Sequence, residues 1–166
     1  MANSHIIESA KNKIVKELIK DEAIIQAIGC ADGLPAEELV GNHIFDYHQN
    51  PNTLKNVQTF ITVQVQIPEP MGYYNTNYTF VHPTVEIWII SHEKHMKVDN
   101  IPKVKVNRND YLSMLIDDKF NGRSDIGGIG KLDLIYNLEG AFQNNYVYRT
   151  MLFKGTDLNQ SVCNPV

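Results

Sequence analysis

Phe60-Ile61-Thr62-Val63-Gln64-Val65-Gln66-Ile67 decides the fold class. Ile61, Val63, Val65 and Ile67 alternate with Thr62, Gln64 and Gln66. Successive side chains on a strand point to opposite faces, so this period of two specifies a strand with one buried and one wet face. Pro68-Glu69-Pro70 stops it. Downstream, residues 80–90 form a second long strand, with Val81, Val85, Ile87 and Ile89 on one face. Trp88 and Ile90 add apolar area on the other, which suits a strand covered on both sides. Pro83 lacks an amide proton and places the start of that strand at an edge or a bulge. Upstream, Gly41-Asn42 leads into a short strand at 44–47, and Pro51 breaks the polar run after it.

The remaining elements are helices and a hairpin. Over residues 4–28, Ile7, Ala10, Ile14, Leu18, Ile25 and Ile28 recur at helical steps, and Ile6, Val15, Ile19 and Ile24 widen the stripe. Asn3 or Ser4 caps its start, Gly29 ends it, and Lys20-Asp21-Glu22 offers a kink or a second helix start. Asp32-Gly33-Leu34-Pro35 is turn chemistry. A second helix at 109–120, capped by Asn109 or Asp110, buries Leu112, Leu115, Ile116 and Phe120. Leu132, Leu134, Tyr136 and Leu138 alternate in a strand at 132–138. Gln143-Asn144-Asn145 then turns the chain into a strand at 146–153, making an antiparallel hairpin. The expectation is an α+β domain of order α-β-β-β-α-β-β. Its mixed, mostly antiparallel sheet is packed by the N-terminal helix and a second helix. That domain spans residues 1–155, and a polar tail follows at 156–166.

Composition excludes several classes. A chain of 166 residues with 43% hydrophobic content can bury one core, and its composition is not that of a disordered chain. No apolar stretch approaches the roughly 20 residues of a membrane span, and the N-terminus has no signal-peptide pattern, so the expected setting is soluble and cytoplasmic. Cys30 and Cys163 are too few for a disulfide framework and are read as reduced thiols. A net charge of −4 argues against broad gripping of nucleic acid. Locally, however, residues 94–108 carry Lys94, Lys97, Lys103, Lys105 and Arg108 against Asp99 alone. That run is either a solvated loop or a surface for phosphate or an acidic neighbour. The loop at 71–78 carries Tyr73, Tyr74 and Tyr78, large side chains suited either to contact surfaces or to covering the domain's own sheet.

The near-motifs fail on geometry. His92-Glu93-Lys94-His95 has a spacing of three, and on a continuing strand its histidines would face opposite ways, whereas a zinc-protease pair needs a spacing of four on a helix. Gly127-Gly128-Ile129-Gly130-Lys131 lacks the first glycine and the hydroxyl residue of a phosphate loop, and a strand follows it rather than a helix. It reads as a flexible connector. Asp117-Asp118 and Glu37-Glu38 diverge by about 100° on a helix and cannot share one reacting atom. Ser91 and Ser113 have no nucleophile-elbow context. His43, Asp46 and His48 lie close in sequence, but on a strand His43 and Asp46 have opposite parity. No cofactor or metal is called for, and no catalytic residue stands out, although a site assembled only in space is not visible at this level.

Several stretches together resemble the tail terminator, or tail completion, proteins of tailed bacteriophages. They are Ile24-Ile25-Gln26-Ala27-Ile28-Gly29, Val40-Gly41-Asn42-His43-Ile44-Phe45-Asp46-Tyr47, and Phe60-Ile61-Thr62-Val63-Gln64-Val65. Val85-Glu86-Ile87-Trp88-Ile89-Ile90, the run from Tyr111-Leu112-Ser113-Met114 to Asp118-Lys119-Phe120, and Tyr148-Arg149-Thr150-Met151-Leu152-Phe153 continue the resemblance. It rests on order and spacing over residues 6–153. It implies a non-enzymatic virion protein, made in the host cytoplasm and assembled as a homohexameric ring at the tail–neck junction. Such a ring stops tube polymerisation and contacts the tail tube and the neck or head-completion proteins. DNA passes through its lumen without sequence readout, and no membrane is involved. Residues 71–78 and 94–108 exceed the compact pattern. They are the candidate subunit and tube contacts, through Tyr73, Tyr74, Tyr78, Lys94, Lys97, Lys103, Lys105 and Arg108. Arg123, Gly127, Gly128 and Gly130 form the candidate neck-contact loop. Another neck ring, a tail tube subunit, or a small enzyme or ligand-binding domain are the competing readings.

Overall fold

A computed structural model describes residues 5–29, 35–54, 58–67 and 82–155. The expected caps at Asn3 or Ser4, both cysteines, most of the 32–35 turn, residues 71–78 with their three tyrosines, and the 156–166 tail lie outside these residues. The N-terminal stripe folds as two helices, α1 (His5–Leu18) and α2 (Glu22–Ile28). The break falls at Asp21, whose side chain accepts hydrogen bonds from Ala23 N at 3.1 Å and Ile24 N at 3.2 Å and so caps a new helix. This restart resets the helical phase. Ile24 therefore enters the core and Ile25, expected there, is only half-buried. Ile6 and Val15 of α1 lie in the core, and Ile7 and Ile19 only pack against it. Gly29 closes α2 at φ 78°, as the sequence implies. A four-residue helix, α3 (Ala36–Leu39), then leads to β1 (Ile44–Phe45).

The sheet is mixed. β2 (Thr59–Gln66), β3 (Thr84–His92), β4 (Leu132–Ala141) and β5 (Tyr146–Gly155) join β1 in the order β1-β2-β3-β5-β4. Among the described strands, β1 and β2 run parallel, and the pairings β2–β3, β3–β5 and β5–β4 are antiparallel. The α+β class and the closing hairpin are therefore as the sequence implies. β1 stops two residues short of its expected end, and Tyr47 is exposed. Pro83 lies just outside β3, which is an interior strand and not an edge. Its carbonyl still serves the sheet by accepting from Gly155 N at 2.8 Å.

One face of the sheet carries the main core. Ile61, Val63, Val65, Val85, Ile87, Ile89, Met151 and Phe153 pack against α1, α2 and α4 (Arg108–Phe120). Each fully buried aliphatic or aromatic side chain contributes about 1.5–3 kcal/mol. The other face is less wet than β2's alternation implies. Thr62 is fully buried, because Phe45, Phe60, Ile90 and Tyr146 build a second cluster there, with Leu54, Trp88, Phe142 and Tyr148 against it. α4 begins one residue before Asn109. Asn107 is its cap, accepting from Asp110 N at 2.8 Å, while Asn109 is turned inward.

β4 departs most from its expected pattern. Its register against β5 shifts between Leu134 and Tyr136, so Ile135 is an extra, bulged residue. A one-residue slip sends every later side chain to the opposite face. Leu132 and Leu134 thus face the helices, whereas Tyr136 and Leu138 belong to the aromatic side; Ile135 and Leu138 remain exposed.

Candidate functional site

The basic segment is a tethered loop and not an extension of β3. β3 ends at His92, and a 3-10 turn follows at Glu93–His95. Val98 is buried, and Asn100 Nδ2 donates to Gln26 O at 2.6 Å, fixing the loop to the end of α2. Lys94, Lys97, Lys103 and Lys105 point outward from this base and are exposed. Lys97 pairs with Asp99 at 2.8 Å, and that hydrogen bond, then the charge, raises its pKa. Lys103 holds a left-handed φ of 71°.

Arg108 does not belong with these lysines. It is only 3% exposed. Its guanidinium donates to Lys97 O at 2.8 Å and His95 O at 2.6 Å, and also to Ala27 O. A run of like-signed residues therefore contains four surface cations and one internal fastener, which sequence reading grouped together. Burial of a guanidinium is tolerated here because backbone carbonyls replace its water.

His92 and His95 do not converge. His92 Nδ1 accepts from Lys94 N at 3.1 Å, and His95 Nδ1 lies 2.8 Å from Thr59 Oγ1. Thr59 continues a buried polar chain to Ser91 at 2.8 Å and on to Asn109 at 2.6 Å. Burial, then the charge of Arg108, then His43 and His92, lower the His95 pKa to about 4. No group of three His, Cys, Asp or Glu that could hold a metal occurs among the described residues. Thr59 and Ser91 are fully buried, so this chain joins β2, β3 and α4 and offers no exposed hydroxyl.

The glycine-rich segment is packed rather than flexible. Ile126 and Ile129 are fully buried, and Gly127, at φ 55°, lies so near α1 that a Cβ there would sit 2.5 Å from Ala10 Cα. Gly128 and Gly130 also take positive φ. Arg123 bonds Glu17 on α1 at 2.8 Å and Asp125 at 2.7 Å. The Arg123 hydrogen bond lowers both carboxyl pKa values, that of Asp125 to about 2.

Two features were missed because they depend on parity and pairing. The aromatic face gathers Trp88, Phe142 and Tyr148 with ring centroids 4.7–6.0 Å apart, and His48 lies edge-on to Trp88 at 5.1 Å. Sequence hinted at it only through Trp88 and Ile90. Between the start of α4 and the β4–β5 hairpin there is a cleft of about 430 Å³ lined in part by Asn107, Asp110, Glu139, Tyr148 and Arg149. Arg149 fills much of its polar capacity, donating to Asp110, to Glu139 at 3.1 Å and to Asn137 at 3.2 Å.

Residues 8–155 match the family model described as YomW. The chain belongs to the YomW family. No curated protein matches it. Among solved structures, the YomW-family fold seen here is similar to a chain of a particle described as the virion of a native gene transfer agent. The TM-score is 0.56 and the identity 9%, covering 89% of this chain and 92% of the other. At that identity the likeness is one of fold.

Proposed function

We propose that this chain is a structural protein of a phage-type virion, acting as a tail terminator at the tail–neck junction. The observation that carries this reading is the fold likeness to a virion chain over nearly the full length of both. Three features of the molecule support it. Its lysines project from a loop fixed at its base, its buried hydroxyls serve packing, and β4, with exposed Ile135 and Leu138, is the outermost strand of the sheet among the described residues. In this reading copies of the chain form a hexameric ring that ends the tail tube and presents the 123–130 loop to neck proteins. DNA passes through the lumen. Lys94, Lys97, Lys103 and Lys105, with Tyr73, Tyr74 and Tyr78, meet the tube or a neighbouring subunit. The chain carries out no catalysis.

Negative-stain imaging of the purified protein, with and without tail tubes, tests this. Closed rings that cap tubes and stop their growth are the expected result. Long cylinders of this protein alone would make it a tube subunit. A persistent monomer with hydrolytic activity lost on His92 substitution would make it an enzyme.

A further inference from the structure

Among the described residues, only the first half of the β4 edge is shielded. At the start of β4, Leu132 exchanges backbone hydrogen bonds with the preceding loop, donating to Arg123 O at 2.8 Å and accepting from Gly122 N at 2.7 Å. Leu134 N donates to Asn121 Oδ1 at 3.0 Å. Beyond the Ile135 bulge this shielding ends. Phe142 N donates to Tyr146 O, so by antiparallel alternation Gly140, Leu138 and Tyr136 direct their backbone groups to β5. Asn137, Glu139 and Ala141 direct theirs outward, and no strand among the described residues meets them. Arg149 draws the Asn137 and Glu139 side chains toward the helical face of the sheet. Residues 135–141 contain neither Lys nor Pro, the usual blockers of edge pairing.

The opposite edge has a matching gap. Ile61 N donates to His43 O, so the odd-numbered residues of β2 face outward, but β1 reaches only as far as the partner of Thr62. The outward groups of Val65 therefore face no strand among the described residues. The edge stretches that no described strand meets are four to five residues long, at 63–66 and 137–141. β4 runs antiparallel to β2 within the chain. A neighbour related by rotation about an axis along the strands therefore brings the two together antiparallel. Unequal edges joined head to tail generate a ring if the rotation closes.

We propose that residues 137–141 of β4 are the joint between copies of this chain, receiving the free edge of β2 at residues 63–66 of the next copy as an added strand. This rests on the ring reading for its closure, but not for the contact itself.

Residue-resolved hydrogen exchange and sedimentation of the full chain test the joint, using the wild type, Glu139→Pro and Leu138→Lys. Glu139→Pro removes an outward amide without touching the β5 ladder. Leu138→Lys adds a charge at an exposed position and leaves every amide in place. Assembled wild type is expected to protect the amides of Val65, Asn137, Glu139 and Ala141. Both variants are expected to lose assembly while keeping the monomer's melting temperature. Mixed with wild type, Glu139→Pro still joins through its own β2 edge and truncates assembly, whereas exclusion of the variant would mean β4 pairs with β4 and would overturn the head-to-tail joint. Rings that form equally well from both variants, or whose edge amides exchange freely, overturn the joint and leave the ring reading standing. Protected edges in open filaments that never close support the joint and overturn the ring. A monomer at every concentration, with freely exchanging edges, overturns both.

Discussion

At the level of single residues, Gly127 and His95 show how little of this surface is loose. Gly127 has a left-handed φ and faces the backbone of Ala10, which cannot swing aside as a side chain would. Gly127→Ala should destabilise the chain by about 2–3 kcal/mol in urea unfolding, because it combines overpacking with a disfavoured backbone conformation. His95 has a folded pKa of about 4 against an ordinary 6.5, so the unfolded chain takes up its proton first. Its contribution to stability is therefore complete above pH 6.5 and is lost as pH falls toward 4. Melting temperatures measured over that window should decline in the wild type and decline less in His95→Gln. Arg108, His43 and His92 are the charged or titratable neighbours that deepen the effect.

At the level of elements, the decisive contacts are caps and bulges. Asp21 caps α2 and also accepts from Lys119 of α4 at 2.7 Å. Burial pushes its carboxyl up, but Lys119 and the backbone amides of Ile24 and Ala23 outweigh burial and hold the pKa below its usual value. Asp21→Ala should cost about 1–2 kcal/mol in the same denaturation assay, and Asp21→Asn less, since the amide oxygen still caps. Much of this layer was legible in the sequence. β2 announces itself by strict alternation, β3 by an apolar run that covers both of its faces, and Gly29 by its place after an apolar stripe. The β4 bulge was not legible, because Ile135 is an ordinary strand residue and only pairing with β5 reveals it as extra. The α4 cap was also missed, because Asn107, Asn109 and Asp110 all suit the role and the tertiary demand of Ser91 for Asn109 decides among them. The same limit applies to the candidate site. Four exposed lysines are readable as a basic run, whereas the inward turn of Arg108 depends on carbonyls from α2 and the 93–97 segment.

At the level of the whole molecule, the basic loop sits on an otherwise acidic chain, so its partner can be recognised by salt. If Lys94, Lys97, Lys103 and Lys105 contact DNA, each phosphate neutralised steepens the plot of log affinity against log salt by about 0.9 for duplex. Replacing all four by Gln should flatten that plot in a filter-binding series. An unchanged slope would assign the loop to protein contacts. The fastening of Arg108 also bears on the order in which the chain folds. Its bond to Ala27 spans 81 residues and requires α2, the 93–97 segment and α4 to be in place together. A solvated guanidinium gains nothing from partial assembly, so it should shed its water after the rate-limiting barrier and not before it. Arg108→Ala, expected to lose about 3 kcal/mol through orphaned carbonyls, should then raise the unfolding limb of the chevron and leave the refolding limb almost unmoved. Arg108 would in that case act as a latch on lifetime: it governs how long the native chain persists and has little influence on how quickly it forms.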